Sequence, residues 1–191
     1  PSADRAREHL GVILGQAGEL ALRLSQILAL ARADAGGYQV QREEFALSEF
    51  AEDLRQRAEP LVRRNRNFFE IQVTGDQAYT DRDMLLQIVT NLADNASKFT
   101  EAGRIRVTIR RLATNLEIEV ADTGRGIPPA QQASVWQEFR QVDMGEGRRF
   151  GGFGLGLAIV KRFTETLGGD VDLTSEVGKG TRVRVRVPVV R

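Results

Sequence analysis

The sequence predicts an α+β fold: a two-layer α/β sandwich whose mixed, mostly antiparallel sheet carries helices on one side, preceded by a long N-terminal helix. Three observations lead there. Ile105, Val107 and Ile109 alternate with Arg106, Thr108 and Arg110, and Leu116, Ile118 and Val120 alternate with Glu117 and Glu119. Such a pair reads as neighbouring antiparallel strands with one buried face, and the Arg and Glu rows are expected to pair across the other. Met84, Leu85, Ile88, Val89 and Leu92 recur at three- and four-residue spacing, the stripe of a helix lying on a core. Leu10, Leu14, Ala17, Ala21, Leu24, Leu28 and Ala31 alternate spacings of four and three, a heptad seam that Ile13, Leu20 and Ile27 widen.

The seam helix needs partner helices to cover so broad a stripe, as in a bundle. Gly11, Gly15 and Gly18 weaken it by about 1 kcal/mol each relative to Ala. Gly36 and Gly37 supply a stop, so residues 1–35 read as one unit and 36–191 as a second. A helix is predicted from Ser48 to about Arg66, with Phe50, Leu54, Leu61 and Val62 inward and a possible kink at Pro60. Phe68 to Val73 reads as a strand, and the striped helix runs from about Asp81. Val171–Ser175 and Val183–Val189 repeat the strand alternation near the end.

Composition narrows the function. With 191 residues and 41% hydrophobic content, the chain suits a domain of ordinary size plus an appendage. A net charge of +1 gives no reason to expect nucleic acid or an anionic membrane surface as partner. The absence of cysteine removes disulfide and thiolate chemistry, and a single histidine, His9, removes a multi-histidine metal site. No apolar run approaches the roughly 20 residues of a membrane span. The chain begins with Pro1 and is read as a fragment of something longer.

Three stretches carry polar groups with chemical potential. In NLADNASKFT (91–100), Asn91, Asn95 and Lys98 fall at i, i+4 and i+7, one row on the striped helix but off its core stripe. This row is either a solvated face or a ligand holder, since two amides and an ammonium suit a metal ion together with an anion. In ADTGRGI (121–127), Asp122 ends a strand beside two loop glycines, so it can present a carboxylate to a ligand. A plain Asp-Gly turn reads equally from that triplet. An aspartic peptidase also uses Asp-Thr-Gly, but the single triplet would demand a symmetric dimer. In GGFGLGLAIVKRF (151–163), glycines lead straight into an amphipathic helix whose free N–H groups favour a phosphate. The glycines match neither the dinucleotide nor the Walker pattern, and a flexible loop is the alternative. SVWQEFRQVD (134–143) reads as a short helix, followed by a glycine-bearing segment able to close as a lid.

Taken in order, these stretches resemble the ATP-binding domain of bacterial sensor histidine kinases, members of the GHKL superfamily shared with DNA gyrase and heat-shock chaperones. NLADNASKFT resembles the N box, DTGRGI the G1 box, VWQEFRQVD the F box, GFGLGLAIV the G2 box and GKGT (178–181) the last glycine box. LARADAGGYQVQREEFALSEF (30–50) is similar to the passage that joins the family's helical dimerisation hairpin to this domain. The resemblance implies a GHKL-type sandwich that binds ATP with Mg²⁺. It implies that Asn95 ligates the metal, that Asn91 and Lys98 lie near the phosphates, and that Phe99 borders the nucleoside. Asp122 matches the adenine reader, with Gly124, Gly126 and Ile127 at the pocket wall and Thr181 assisting through water. Gly152, Gly154, Leu155, Gly156 and Leu157 match the G2 contacts, and residues 140–153 match the ATP lid, with Arg148 or Arg149 reaching the phosphates.

The resemblance also separates chemistries. Hydrolysing relatives carry a glutamate four residues before the metal-binding asparagine, where this chain has Asn91. An amide cannot take a proton from water, so slow hydrolysis and transfer of the γ-phosphoryl to another nucleophile are expected. No HE[LM]RTPL-like box surrounds His9, which stands in AREHLGVILG, so the acceptor histidine is expected outside this chain. Phe153 stands where the G2 box often has a small or hydroxyl residue. The implied partners are the phosphoacceptor hairpin of the parent kinase, a response regulator and a second copy of the parent, in a cytoplasmic setting that leaves the parent free to be membrane-anchored. The alternative is an ATP-binding regulatory module that transfers nothing.

Overall fold

Apolar residues at every second position build a five-stranded sheet in the computed structural model, which describes residues 39–137 and 154–189. In chain order the elements are β1 (Glu43–Ala46), α1 (Leu47–Arg63), β2 (Phe68–Thr74), β3 (Gln77–Thr80), α2 (Arg82–Phe99), β4 (Arg104–Arg111) and β5 (Asn115–Asp122). Then come α3 (Pro129–Gln132), α4 (Gly156–Thr166), β6 (Asp170–Glu176) and β7 (Gly180–Pro188). The sheet order is β2-β4-β5-β7-β6; β2 runs parallel to β4, and every other pair is antiparallel. The predicted α+β sandwich with a mixed, mostly antiparallel sheet is therefore the fold observed. The chain divides into two compact units, Pro1–Gly37 and Tyr38–Arg191, and all that is described lies in the second. The seam helix, His9, Gly152, Phe153 and the segment 140–153 with Arg148 and Arg149 lie outside the described residues.

Register explains the two faces of the sheet. Ile109 stands opposite Ile118, which stands opposite Val185, and Val107, Val120 and Val183 line up in the same way. All of these are buried, against helices that contribute Phe50, Leu54 and Val62 from α1, the predicted stripe from α2, and Ile159, Val160 and Phe163 from α4. The other face is charged. The predicted pairing of Arg and Glu rows is seen at Arg110–Glu117 (3.3 Å). Thr108, not an arginine, faces Glu119, so Glu119 pairs with Arg182 (3.3 Å) and Arg184 (3.0 Å) of β7 instead. Arg106 turns to Glu70 at 3.0 Å. Surface pairs of this kind contribute at most about 1 kcal/mol each, so burial on the helical side dominates stability.

Several boundaries differ from expectation for local reasons. Helix α1 passes through the exposed Pro60 and ends at Arg63 rather than Arg66, because Arg66 adopts a left-handed φ of 57° that no helix continues. Leu61 is only half-buried, while Leu47 and Ala58 are buried in addition to the predicted residues. The short strands β1 and β3 pair with each other and escape a pattern reading because four residues hold too little alternation. The short helix expected over 134–143 lies mostly outside the described residues, and a short helix that the pattern did not predict occupies Pro129–Gln132, with Pro128 and Pro129 presetting its first turn. Residues 133–136 form turns, and residues 138–143 are not described.

Both ends of α2 are tied down. Asp81, buried at the N-cap, accepts from Met84 N through Oδ1 (2.9 Å) and from Gln41 N through Oδ2 (2.9 Å). At the other end Asn65 Nδ2 donates to Ser97 O (2.7 Å), and Asn67 Nδ2 donates to Thr100 O (2.9 Å). Asp81→Ala removes both acceptors at once, and a loss of about 1–2 kcal/mol in unfolding free energy is expected. Chemical denaturation checks this: the midpoint falls while the slope stays unchanged.

Candidate functional site

Asp122 ends β5 with its side chain half-buried, and three donors converge on a single oxygen. Oδ1 accepts from Gly124 N (2.8 Å), Thr181 N (3.2 Å) and Thr100 Oγ1 (3.4 Å). Among the described residues no donor reaches Oδ2, which leaves a carboxylate oxygen able to accept from a ligand. Burial pushes the carboxyl above its ordinary range, and the donors from Gly124, Thr181 and Thr100 pull it back only in part.

Three chain segments make this pocket. The loop after β5 is pinned by Arg125 N donating to Phe99 O (3.1 Å) and by Gly178 N donating to Arg125 O (2.8 Å). Ile127 N donates to Ser175 Oγ (2.8 Å), which ties the loop to the end of β6. Gly180 has φ +107°, and a Cβ there would stand 1.9 Å from the backbone oxygen of Asp122, so only glycine lets the start of β7 lie this close to the backbone of Asp122. Gly126 is likewise excluded from bearing a side chain, by Glu176 O at 2.1 Å. Thr181 acts on Asp122 directly through its backbone N–H, while its hydroxyl pairs with Ser175 Oγ at 2.9 Å.

The row on α2 divides by environment. Asn91 is buried rather than solvated, and its Nδ2 donates to Gln87 O (2.9 Å). Asn95 is half-buried and faces the start of α4: a Cβ on Gly156 would meet Asn95 Nδ2 at 2.8 Å and Oδ1 at 3.1 Å. That start has no side-chain cap, and Leu155 O already accepts from Ile159 N at 2.9 Å. Gly154, with φ +69°, leads into the buried Leu155, and Leu157 is half-buried in the first turn. So an amide and helix N–H groups that no described side chain caps share one spot, an arrangement suited to an anion with a cation beside it. Lys98 forms an ion pair with Asp94 one turn back. Phe99 is 42% exposed, with the Arg125 guanidinium 4.5 Å from its ring centroid. No group of three or more His, Cys, Asp or Glu able to hold a metal ion occurs among the described residues.

The family model described as "Histidine kinase-, DNA gyrase B-, and HSP90-like ATPase" matches residues 80–191, which span the α2 row, the Asp122 loop and the glycine turn. The chain belongs to this ATPase family. ATP is thus the ligand class of the fold. The chain is 33% identical to the autoinducer 2 sensor kinase/phosphatase LuxQ of Vibrio cholerae over 198 residues, 99% of this chain but 23% of that protein. It is 37% identical to the sensor histidine kinase AruS of Pseudomonas aeruginosa over 187 residues, 93% of this chain and 19% of that protein. It therefore spans about a fifth of the length of these curated relatives. Among solved structures, full-length ShkA in complex with AMPPNP has a TM-score of 0.78 at 30% identity, covering 92% of this chain and 37% of that one. The mycobacterial sensor histidine kinase MprB has a TM-score of 0.63 at 29% identity, covering 78% and 97%.

The Asp122 pocket draws on residues that sequence reasoning missed. Thr100, Arg125, Gln132 and Ser175 all bond into the Asp122 pocket, and Asp94 holds Lys98. Asp94 was legible as the i−4 partner of a lysine. Ser175 and Gln132 carry no periodic signal, because the bonds that bring them to this loop, Gln132 to Ser175 O and Ile127 N to Ser175, join residues more than forty positions apart.

The raised Asp122 carboxyl has a consequence for stability. A group that holds its proton more tightly when folded contributes stability that is fully present below its unfolded pKa and lost as pH rises through the folded value. Near neutral pH the ionised side chain is therefore a liability in the ligand-free protein. Asp122→Asn keeps an acceptor at Oδ1 and should melt above the wild type at pH 7. That advantage should shrink as pH falls through the folded pKa, which parallel thermal melts of both proteins between pH 4 and 8 would read.

Proposed function

We propose that this chain is the ATP-binding catalytic domain of a two-component sensor histidine kinase. It transfers the ATP γ-phosphoryl group to a histidine outside this chain, from which the phosphoryl passes to an aspartate of a response regulator. The observation that carries the reading is the placement of the Asn95 amide against Gly156, at the uncapped first turn of α4. Phosphate oxygens there accept from free helix N–H groups, and Asn95 Oδ1 supplies a hard oxygen ligand to Mg²⁺. The residues fit such a metal, since Mg²⁺ is commonly held by one or two protein oxygens together with substrate phosphates and water. When bound, the ion neutralises charge on the transferring phosphoryl group.

The remaining roles follow from chemistry. Asp122 accepts a hydrogen bond from the exocyclic amino group of adenine at Oδ2 while its other oxygen is held by protein donors. Gly124, Gly126 and Ile127 wall the base, and Phe99 borders the nucleoside with Arg125 stacked on its ring. Lys98 exchanges Asp94 for a phosphate, and Gly152, Gly154, Leu155 and Leu157 shape the phosphate side. Asn91 offers an amide where a base for water would stand, so water is not activated and a stronger nucleophile is required. That nucleophile belongs to a phosphoacceptor helical hairpin, which makes a parent homodimer and a response regulator the partners of the whole protein.

Calorimetry with a non-hydrolysable ATP analogue, with and without Mg²⁺, tests the site. Asp122→Ala should lose a charge-assisted hydrogen bond worth about 1.5–3 kcal/mol, hence roughly ten- to hundredfold in affinity. Asn95→Ala should instead flatten the dependence on Mg²⁺. If neither substitution alters binding by a folded protein, the assignment is wrong. Mixing the chain with a separately made acceptor hairpin and labelled ATP then tests transfer: label on the hairpin is expected, and binding without label would favour the non-transferring regulatory module.

A further inference from the structure

We propose that Gln132 is a positioning residue for the base-reading carboxylate, its side-chain amide clamping the exit of the Asp122 loop to the end of β6. The inference rests on the nucleotide reading above and assigns to α3 a part in it. Gln132 Nε2 donates to Ile127 O and to Ser175 O, each at 2.9 Å, so both N–H bonds of one amide join two segments over forty residues apart. From there the contacts run without a gap to Asp122. Ile127 N donates to Ser175 Oγ at 2.8 Å, and Ser175 Oγ donates to Gly180 O at 3.0 Å. Having given its one proton to Gly180, the Ser175 hydroxyl must accept from Thr181 Oγ1 at 2.9 Å. Its donor and both acceptor sites are then used, which fixes the orientation of Thr181. Thr181 N in turn donates to Asp122 Oδ1 at 3.2 Å.

Each member of this chain has one arrangement that satisfies it, so removing the Gln132 bridge between Ile127 O and Ser175 O loosens the donor that orients Asp122. An apolar side chain in place of Gln132 leaves both carbonyls unpaired and the loop exit untied. The expected functional signature is selective: contacts to the amino group of adenine weaken, and contacts to the triphosphate do not.

The experiment measures affinity for AMPPNP and for the triphosphate of purine riboside, which lacks the exocyclic amino group. Wild type, Gln132→Leu, Asp122→Asn and the double variant are compared. Gln132→Leu should weaken AMPPNP about tenfold and the amine-less nucleotide by less than about twofold, and its effect should vanish in the Asp122→Asn background. Equal losses for both nucleotides, or additive losses in the double variant, would overturn the proposal in favour of a merely structural staple. If Asp122→Asn alone leaves AMPPNP binding unchanged, the base reading fails and the inference with it. If Asp122→Asn weakens binding and Gln132→Leu does not discriminate, the inference alone fails. Gln132→Glu keeps the size and removes the donors, and it carries the same comparison should the leucine variant not fold.

Discussion

A half-buried carboxylate at the end of a strand must be solvated by the protein, and the geometry of this domain follows from how that is done. Asp122 Oδ1 draws its donors from the loop after β5, from the start of β7 and from the residue that ends α2. These lie far apart in sequence and meet only because β5 pairs with β7 while α2 packs over β4 and β5. Burial still outweighs the donors and keeps the carboxyl above its ordinary range. An oxygen without a donor among the described residues is therefore retained at a cost to the ligand-free fold, as expected where a site is built for a partner rather than for stability.

Helix α2 supplies the second constraint. Its buried stripe, from Met84 to Leu92, fixes its rotation over the sheet, and the Asp81 cap and the Asn65 and Asn67 bonds fix its ends. With rotation and ends set, the i, i+4, i+7 row cannot turn to solvent as a unit. Asn91 is buried, Asn95 meets α4, and Lys98 remains near enough to the surface to pair with Asp94. One periodicity thus serves packing and the other serves the site. Among the described residues no side chain caps the first turn of α4, where one would compete with a ligand for the same N–H groups.

The sequence by itself determined what depends on local periodicity and on residue type. Strand alternation, the α2 stripe and the order of the glycine-bearing boxes gave the sandwich, the sheet strands β2 and β4 to β7 and the family, because burial of one face imposes a period that is visible in a short window. The polar row on α2 and the carboxylate of Asp122 were legible for the same reason. Tertiary structure decided everything that depends on contact between distant segments. It chose Arg182 and Arg184 over β4 as partners for Glu119, since register places Thr108 opposite that glutamate. It buried Asn91, added a short helix at the proline pair Pro128 and Pro129, and recruited Thr100, Gln132 and Ser175 around Asp122. A hydrogen bond between residues more than forty positions apart leaves no periodic trace, so only the folded chain could disclose it.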